Sequence, residues 1–317
     1  MNRPFQNIRF FFKRYLFRLN NGIPYTGITK TEENFFIPLT EAFPHKPEWK
    51  LNLFLFITTL CTTTLFAPSS GETIGEALIN GLPYSLTLMT ILSIHEFGHY
   101  FAARKFGVDA TLPYFIPFPS IIGTMGAVIK TKSPIPHRRA LFYIGIMGPL
   151  PGFFASLIAV IAGVSFSEVI PIPLTEGLII QLGNSILFSL IVNLFHGSIP
   201  AGHDLFLHPV AWAGWIGFFI TSLNLMPIGQ LDGGHVLYSL IGKRQTYAGW
   251  LALAALVVLT FLWPGWGLWV AITLLILMVA HPPIREAAPL SFKEKAAGWF
   301  CMMVFILTFI PVPVQLI

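Results

Sequence analysis

Apolar residues in this chain gather in long runs instead of alternating with polar ones, and runs of that length are what a membrane crossing demands. A helix needs about 20 mostly apolar residues to span a hydrocarbon core. Windows near that length fall at residues 51–67, 82–103, 140–164, 210–226, 248–263, 265–280 and 296–314. The pattern predicts an all-α polytopic membrane protein with about seven transmembrane helices. A further apolar stretch, 178–195, is expected to be re-entrant or interfacial. If it crossed fully, Lys243, Arg244, Arg285, Lys293 and Lys295 would become external, against the preference of basic residues for the cytoplasmic side.

Composition agrees: of 317 residues, 54% are hydrophobic and 10% charged, which excludes an ordinary soluble domain. The net charge of +5 sits in short segments between apolar runs, so it reads as a topology signal and not as a nucleic-acid surface. Residues 1–50 carry eight Lys/Arg and residues 68–81 none, which predicts a cytoplasmic amino terminus and an external first loop. Arg104, Lys105, Lys130, Lys132, Arg138 and Arg139 then put the 104–139 loop on the cytoplasmic side.

Basic residues interrupt the first twenty positions, so no signal peptide is expected there. Phe5, Ile8, Phe12, Tyr15, Leu16 and Leu19 share one side of a helical wheel, which suits a basic helix on an anionic membrane surface or, equally, a charged anchor for the first span. Cys61 and Cys301 have no paired spacing, so neither a disulfide nor a thiolate metal site is indicated.

Polar residues inside the apolar runs carry the chemistry. His95-Glu96-Phe97-Gly98-His99 interrupts the second window. Histidines at i and i+4 share a helix face and can ligate one zinc ion, while the adjacent glutamate takes a proton from water. Ionisable side chains at membrane depth are costly and are retained for function. A second break, Asn224 to His235, ends the fourth window, with Pro227 and Gly229 interrupting the helix. Of the three aspartates, Asp109, Asp204 and Asp232, only Asp232 falls in such a break, which makes it the best third ligand. Two histidines and a carboxylate leave the fourth tetrahedral position open, as a catalytic site requires. Gly233 and Gly234 are expected to let a neighbouring helix approach.

The two motifs, in this order and each within a membrane span, resemble those of the site-2 protease family of intramembrane zinc metalloproteases. That family's second signature, N-x-x-P-x-x-x-L-D-G, is matched by Asn224, Pro227, Leu231, Asp232 and Gly233. The resemblance extends over about residues 82–242. It implies one catalytic Zn2+ held by His95, His99 and Asp232, with Glu96 as general base. It also makes Asn224 a candidate for binding substrate backbone or stabilising the oxyanion, or else an amide that satisfies carbonyls freed by Pro227. The implied partners are the lipid bilayer and a transmembrane-helix substrate that unwinds locally.

Between the motifs, residues 113–130 hold three prolines and then Gly123 and Gly126, which predicts short strands and a tight turn. This stretch resembles the family's membrane re-entrant β-hairpin. Gly123, Thr124, Met125 and Gly126 are candidate substrate-binding residues, because a strand edge supplies main-chain bonds to an extended peptide; a plain connecting loop is the alternative. Gly145, Gly148, Pro149, Pro151 and Gly152 predict a kinked third span whose thin face packs on the catalytic helices.

His203, Asp204 and His208 form a second His/carboxylate group, in an external loop and without helical pairing. His235 could act beside Asp232, though a structural hydrogen bond suits it better. The organisation expected is a basic cytoplasmic segment (1–50), a first span and external loop (51–81), a catalytic membrane core (82–242) and C-terminal helices (243–317). No PDZ or CBS insertion is recognisable. A catalytically inactive relative or a transporter-like scaffold would share the broken helices and midplane polar groups. The cell membrane is the expected location, with the plastid membrane as the alternative, and the oligomeric state has no signature.

Overall fold

The structure, a computed structural model, describes residues 49–67, 73–172, 180–278 and 289–316. The amphipathic amino-terminal stretch, residues 68–72 of the first loop and Arg285 lie outside the described residues.

Helix α1 (Lys50–Leu65) is followed by α2 (Ile74–Lys105), which starts eight residues before the apolar window at 82. Hydropathy alone misses that start because it is set by polar caps: Thr73 and Glu76 form a reciprocal capping box. Pro83 is tolerated inside the helix, and the Thr87 hydroxyl donates to its carbonyl at 2.7 Å. Strands β1 (Tyr114–Pro117) and β2 (Thr124–Val128) form an antiparallel hairpin, with Tyr114 opposite Val128 and Pro117 opposite Thr124.

Helices α3 (Arg138–Met147) and α4 (Pro149–Ser165) meet at Gly148, where Pro149 begins the second helix. The His137 ring caps α3 by accepting from the Ala140 amide at 3.1 Å. Burial, aided by the Arg139 charge, holds this imidazole below its ordinary pKa, which favours the neutral ring that the cap needs.

Next come β3 (Glu168–Pro171), β4 (Ile180–Leu182), α5 (Ile186–His196), β5 (His203–Phe206), α6 (Pro209–Asn224), α7 (Asp232–Ile241), α8 (Gln245–Thr260), α9 (Trp266–Met278), α10 (Phe292–Thr308) and β6 (Val314–Leu316). Two helical stretches among the described residues, Gly75–Lys105 and Arg138–Ser165, are long and apolar enough to cross a membrane. The others are shorter than a straight crossing of about 20 residues.

The chain is mostly helical but not all-α. Besides the hairpin there are two further two-stranded antiparallel sheets, β3 with β5 and β4 with β6. Their strands pair across long stretches of sequence, so no local turn signal announces them. The 178–195 stretch divides into β4 and the 11-residue α5, and the 296–314 window ends as helix at Thr308, ahead of Pro311 and Pro313.

Small residues bring the central helices together. A Cβ on Gly163 would overlap Ala211, one on Gly214 would crowd Val160, and one on Gly217 would overlap Ser156, so α4 and α6 pack backbone to backbone. The main apolar cluster around them includes Tyr84, Phe142, Trp215 and Phe218, and it presses α2, α4 and α6 into one unit. Charged clamps secure the end where α3 begins. Arg138 donates to the Ser239 and Leu240 carbonyls at the end of α7, and Arg139 pairs with Glu294 in the first turn of α10.

Candidate metal centre

Three side chains from two distant segments converge between these helices. His95 and His99 lie one turn apart on α2 and are 3% and 6% exposed. Asp232 is the first residue of α7, at the end of the helix break. The His95 Nε2 to His99 Nε2 distance is 3.1 Å, with Asp232 Oδ2 3.2 Å from His99 Nε2 and 3.6 Å from His95 Nε2.

An ion bound tetrahedrally at ~2.0–2.1 Å separates its ligand atoms by about 3.3 Å, so the three donors already have the spacing of a zinc site. Among the described residues this is the single group of three or more His, Cys, Asp or Glu able to hold a metal. His99 Nδ1 lies 2.7 Å from the Ile144 carbonyl. A proton donated there leaves the Nε2 lone pair for the metal.

The thin face formed by α3 and α4 makes room for both rings. A Cβ on Gly148 would overlap the His99 ring, one on Gly152 would come 3.0 Å from His95 Nδ1, and one on Gly145 would crowd the Asp232 carbonyl and His235. Gly98 in turn lets the Met147 carbonyl rest against α2.

Gly233 and Gly234 serve a different neighbour from the one expected. A Cβ on either would strike the carbonyls of residues 225–229, so they admit the chain's own preceding loop and not another helix. The seven-residue return, 225–231, folds back on the helix it enters, a contact that composition does not reveal.

A family description, peptidase family M50, matches residues 83–263, more than half of the chain and including both motifs. The chain belongs to that family. The site-2 protease resemblance carried by the two motifs is thus established.

This M50 chain is 30% identical over 175 residues to the "probable zinc metalloprotease EGY2, chloroplastic" of Arabidopsis thaliana, covering 53% of the chain and 30% of that relative. It is 30% identical over 253 residues to the "probable zinc metalloprotease EGY1, chloroplastic" of Oryza sativa subsp. japonica, covering 73% and 41%. To the corresponding EGY3 protein of Oryza sativa subsp. indica it is 25% identical over 293 residues, covering 81% and 47%. The chain therefore spans less than half the length of each of these relatives. No solved structure gives a significant match.

The remaining candidate residues sort by position. Glu96 is 6% exposed and outside the ligand cluster. Asn224, the last residue of α6, has Nδ2 3.2 Å from His95 Nε2, so its amide lies against a ligand. The carbonyl that Pro227 leaves without its helical donor, that of Leu223, accepts from the Met226 amide at 3.3 Å, which leaves that task away from Asn224.

The four hairpin residues part company. Gly123 is buried on α1, and Thr124 is buried with its hydroxyl 2.8 Å from the Ile116 carbonyl, whereas Met125 is 69% exposed and Gly126 faces open space. His203, Asp204 and His208 form no cluster: Asp204 accepts from Gln181 and His208 caps α6. Sequence reasoning misses the Ile144 carbonyl because it acts through backbone, and it reads Arg138 only as a topology charge.

Proposed function

We propose that this chain is an intramembrane zinc metalloprotease that hydrolyses peptide bonds within or near transmembrane segments of membrane proteins. The observation that carries this reading is the convergence of His95, His99 and Asp232 at zinc-ligand spacing, with Glu96 beside them but not among them. His95 and His99 offer Nε2, and Asp232 offers Oδ2. A zinc ion held there supplies Lewis acidity, polarising a carbonyl and acidifying water.

Glu96 takes the proton of the attacking water and passes it to the leaving amine, so one carboxylate serves as base and then as acid. Asn224 directs an N–H toward the same space, where charge develops on the scissile carbonyl oxygen. The buried helices keep bulk water away, which strengthens each of these interactions.

The hairpin supplies the substrate side of the reading. A peptide bond is cut only when extended, and the strand edge at exposed Met125 and half-buried Gly126 is offered for the unwound segment to join. The hairpin's re-entrance into the bilayer and the seven crossings belong to this proposal, as does a cytoplasmic face for the basic loops. The relatives' names assign them to chloroplasts, which supports the plastid membrane over the cell membrane for this chain.

The test is cleavage of labelled transmembrane segments by purified protein in detergent, with products identified by mass. The expected products are cut inside or at the edge of the apolar stretch, and none form after chelation. Products cut only in soluble flanks, or produced equally with chelator, would sink the reading.

A further inference from the structure

The hairpin is tied at both ends by side chains from the two helices that precede it. Asn52 on α1 is buried and donates its amide to the carbonyls of Leu112 and Pro113, each at 2.9 Å, where the chain enters β1. Ten residues later, about 15 Å along the same helix, the Thr62 hydroxyl donates to the Gly123 carbonyl at 2.7 Å, just after the turn. Tyr84 on α2, fully buried, donates to the Ile122 carbonyl at 2.9 Å. Gly123 has φ +79°, and a Cβ there would overlap the Thr63 backbone, so the turn rests directly on α1.

β2 itself packs on α2, the helix that carries Glu96. A strand held at its entry and turn and lying on that helix can shift along its axis only by breaking these buried and part-buried hydrogen bonds, each of which leaves a carbonyl without that donor. Asn52 and Thr62 lie outside residues 83–263, the stretch that matches the family, so this fastening adds to what the family match covers.

We propose that Asn52, Thr62 and Tyr84 are positioning residues that fix the register of the hairpin against α2, the helix of Glu96, and so select which substrate peptide bond is cut. The proposal rests on the proteolytic reading above and names the regulation of that same site. None of the three touches the reacting atoms. They act through the backbone of residues 112–123, whose β2 partner strand presents the substrate edge.

The test compares wild type with Thr62→Val and Tyr84→Phe, near-isosteric changes that each remove one hydroxyl. Asn52→Leu is added if it folds. Zinc content, kcat and KM on a labelled transmembrane segment, the scissile bond by mass, and backbone hydrogen exchange over residues 112–129 are read on the same samples.

The expected result is unchanged zinc, kcat reduced roughly tenfold, cleavage spread to bonds neighbouring the wild-type one, and faster exchange in the hairpin. A single wild-type scissile bond cut at the wild-type rate by folded, zinc-loaded variants would overturn the proposal. If wild type itself does not cleave, the proteolytic reading fails, and exchange alone decides the fastening: unchanged exchange in both variants overturns it.

Discussion

Glu96→Gln is expected to slow peptide-bond hydrolysis by about 10³-fold, within the range that a positioned general base supplies, while the protein still binds one zinc. The separation of these two effects follows from the geometry. Glu96 shares the helix turn of His95 and His99 but lies outside the group of atoms that could hold the metal. Glutamine has nearly the same volume, so the buried packing around position 96 survives. What it cannot do is take a proton from water. The check is single-turnover cleavage beside elemental analysis of the same preparation. Loss of zinc with the substitution would mean that Glu96 is a ligand, and unimpaired turnover would mean that another group is the base.

Gly148→Ala should weaken zinc binding and lower activity by roughly 10- to 100-fold, an effect of the size expected when a ligand's support fails, although position 148 carries no ligand. The added methyl would overlap the His99 ring, and neither party can yield easily. His99 is held from its other nitrogen by the Ile144 carbonyl at 2.7 Å, and Gly148 is the joint between two packed helices. Gly75→Ala is the matching control, since a Cβ there meets nothing within 4 Å among the described residues. Zinc stoichiometry of both variants in detergent distinguishes crowding of the ligand from a general intolerance of alanine in helices. Full zinc in Gly148→Ala would show that the His99 ring does not occupy the place assigned to it.

These two expectations differ in how they can be reached. Glu96 and the histidine pair are legible from sequence because i, i+4 spacing on a helix is a local rule. Asp232 is legible because one aspartate of three falls in a helix break. That it lies 3.2 Å from His99 across more than a hundred residues is a property of the packed bundle alone.

The glycines of the third span announce a thin face, but that Gly148 and Gly152 face His99 and His95 in turn depends on how α2 and the third span cross. Within the hairpin, Gly123 and Gly126 look alike as sequence, and both have positive φ, yet one is pressed on α1 and the other is open. The strands β3 to β6 escape prediction because each is three or four residues long and pairs with a partner far along the chain, where only tertiary contact selects the register.

Zinc titration of the chelated, purified chain, with hydrolysis of a labelled transmembrane segment followed in parallel, tests the central claim most directly. Hydrolysis is predicted to vanish on chelation, to return in proportion to added zinc, and to saturate at one ion per chain. Hydrolysis that survives complete zinc removal, or a fully zinc-loaded chain that cuts no transmembrane segment, would contradict the account.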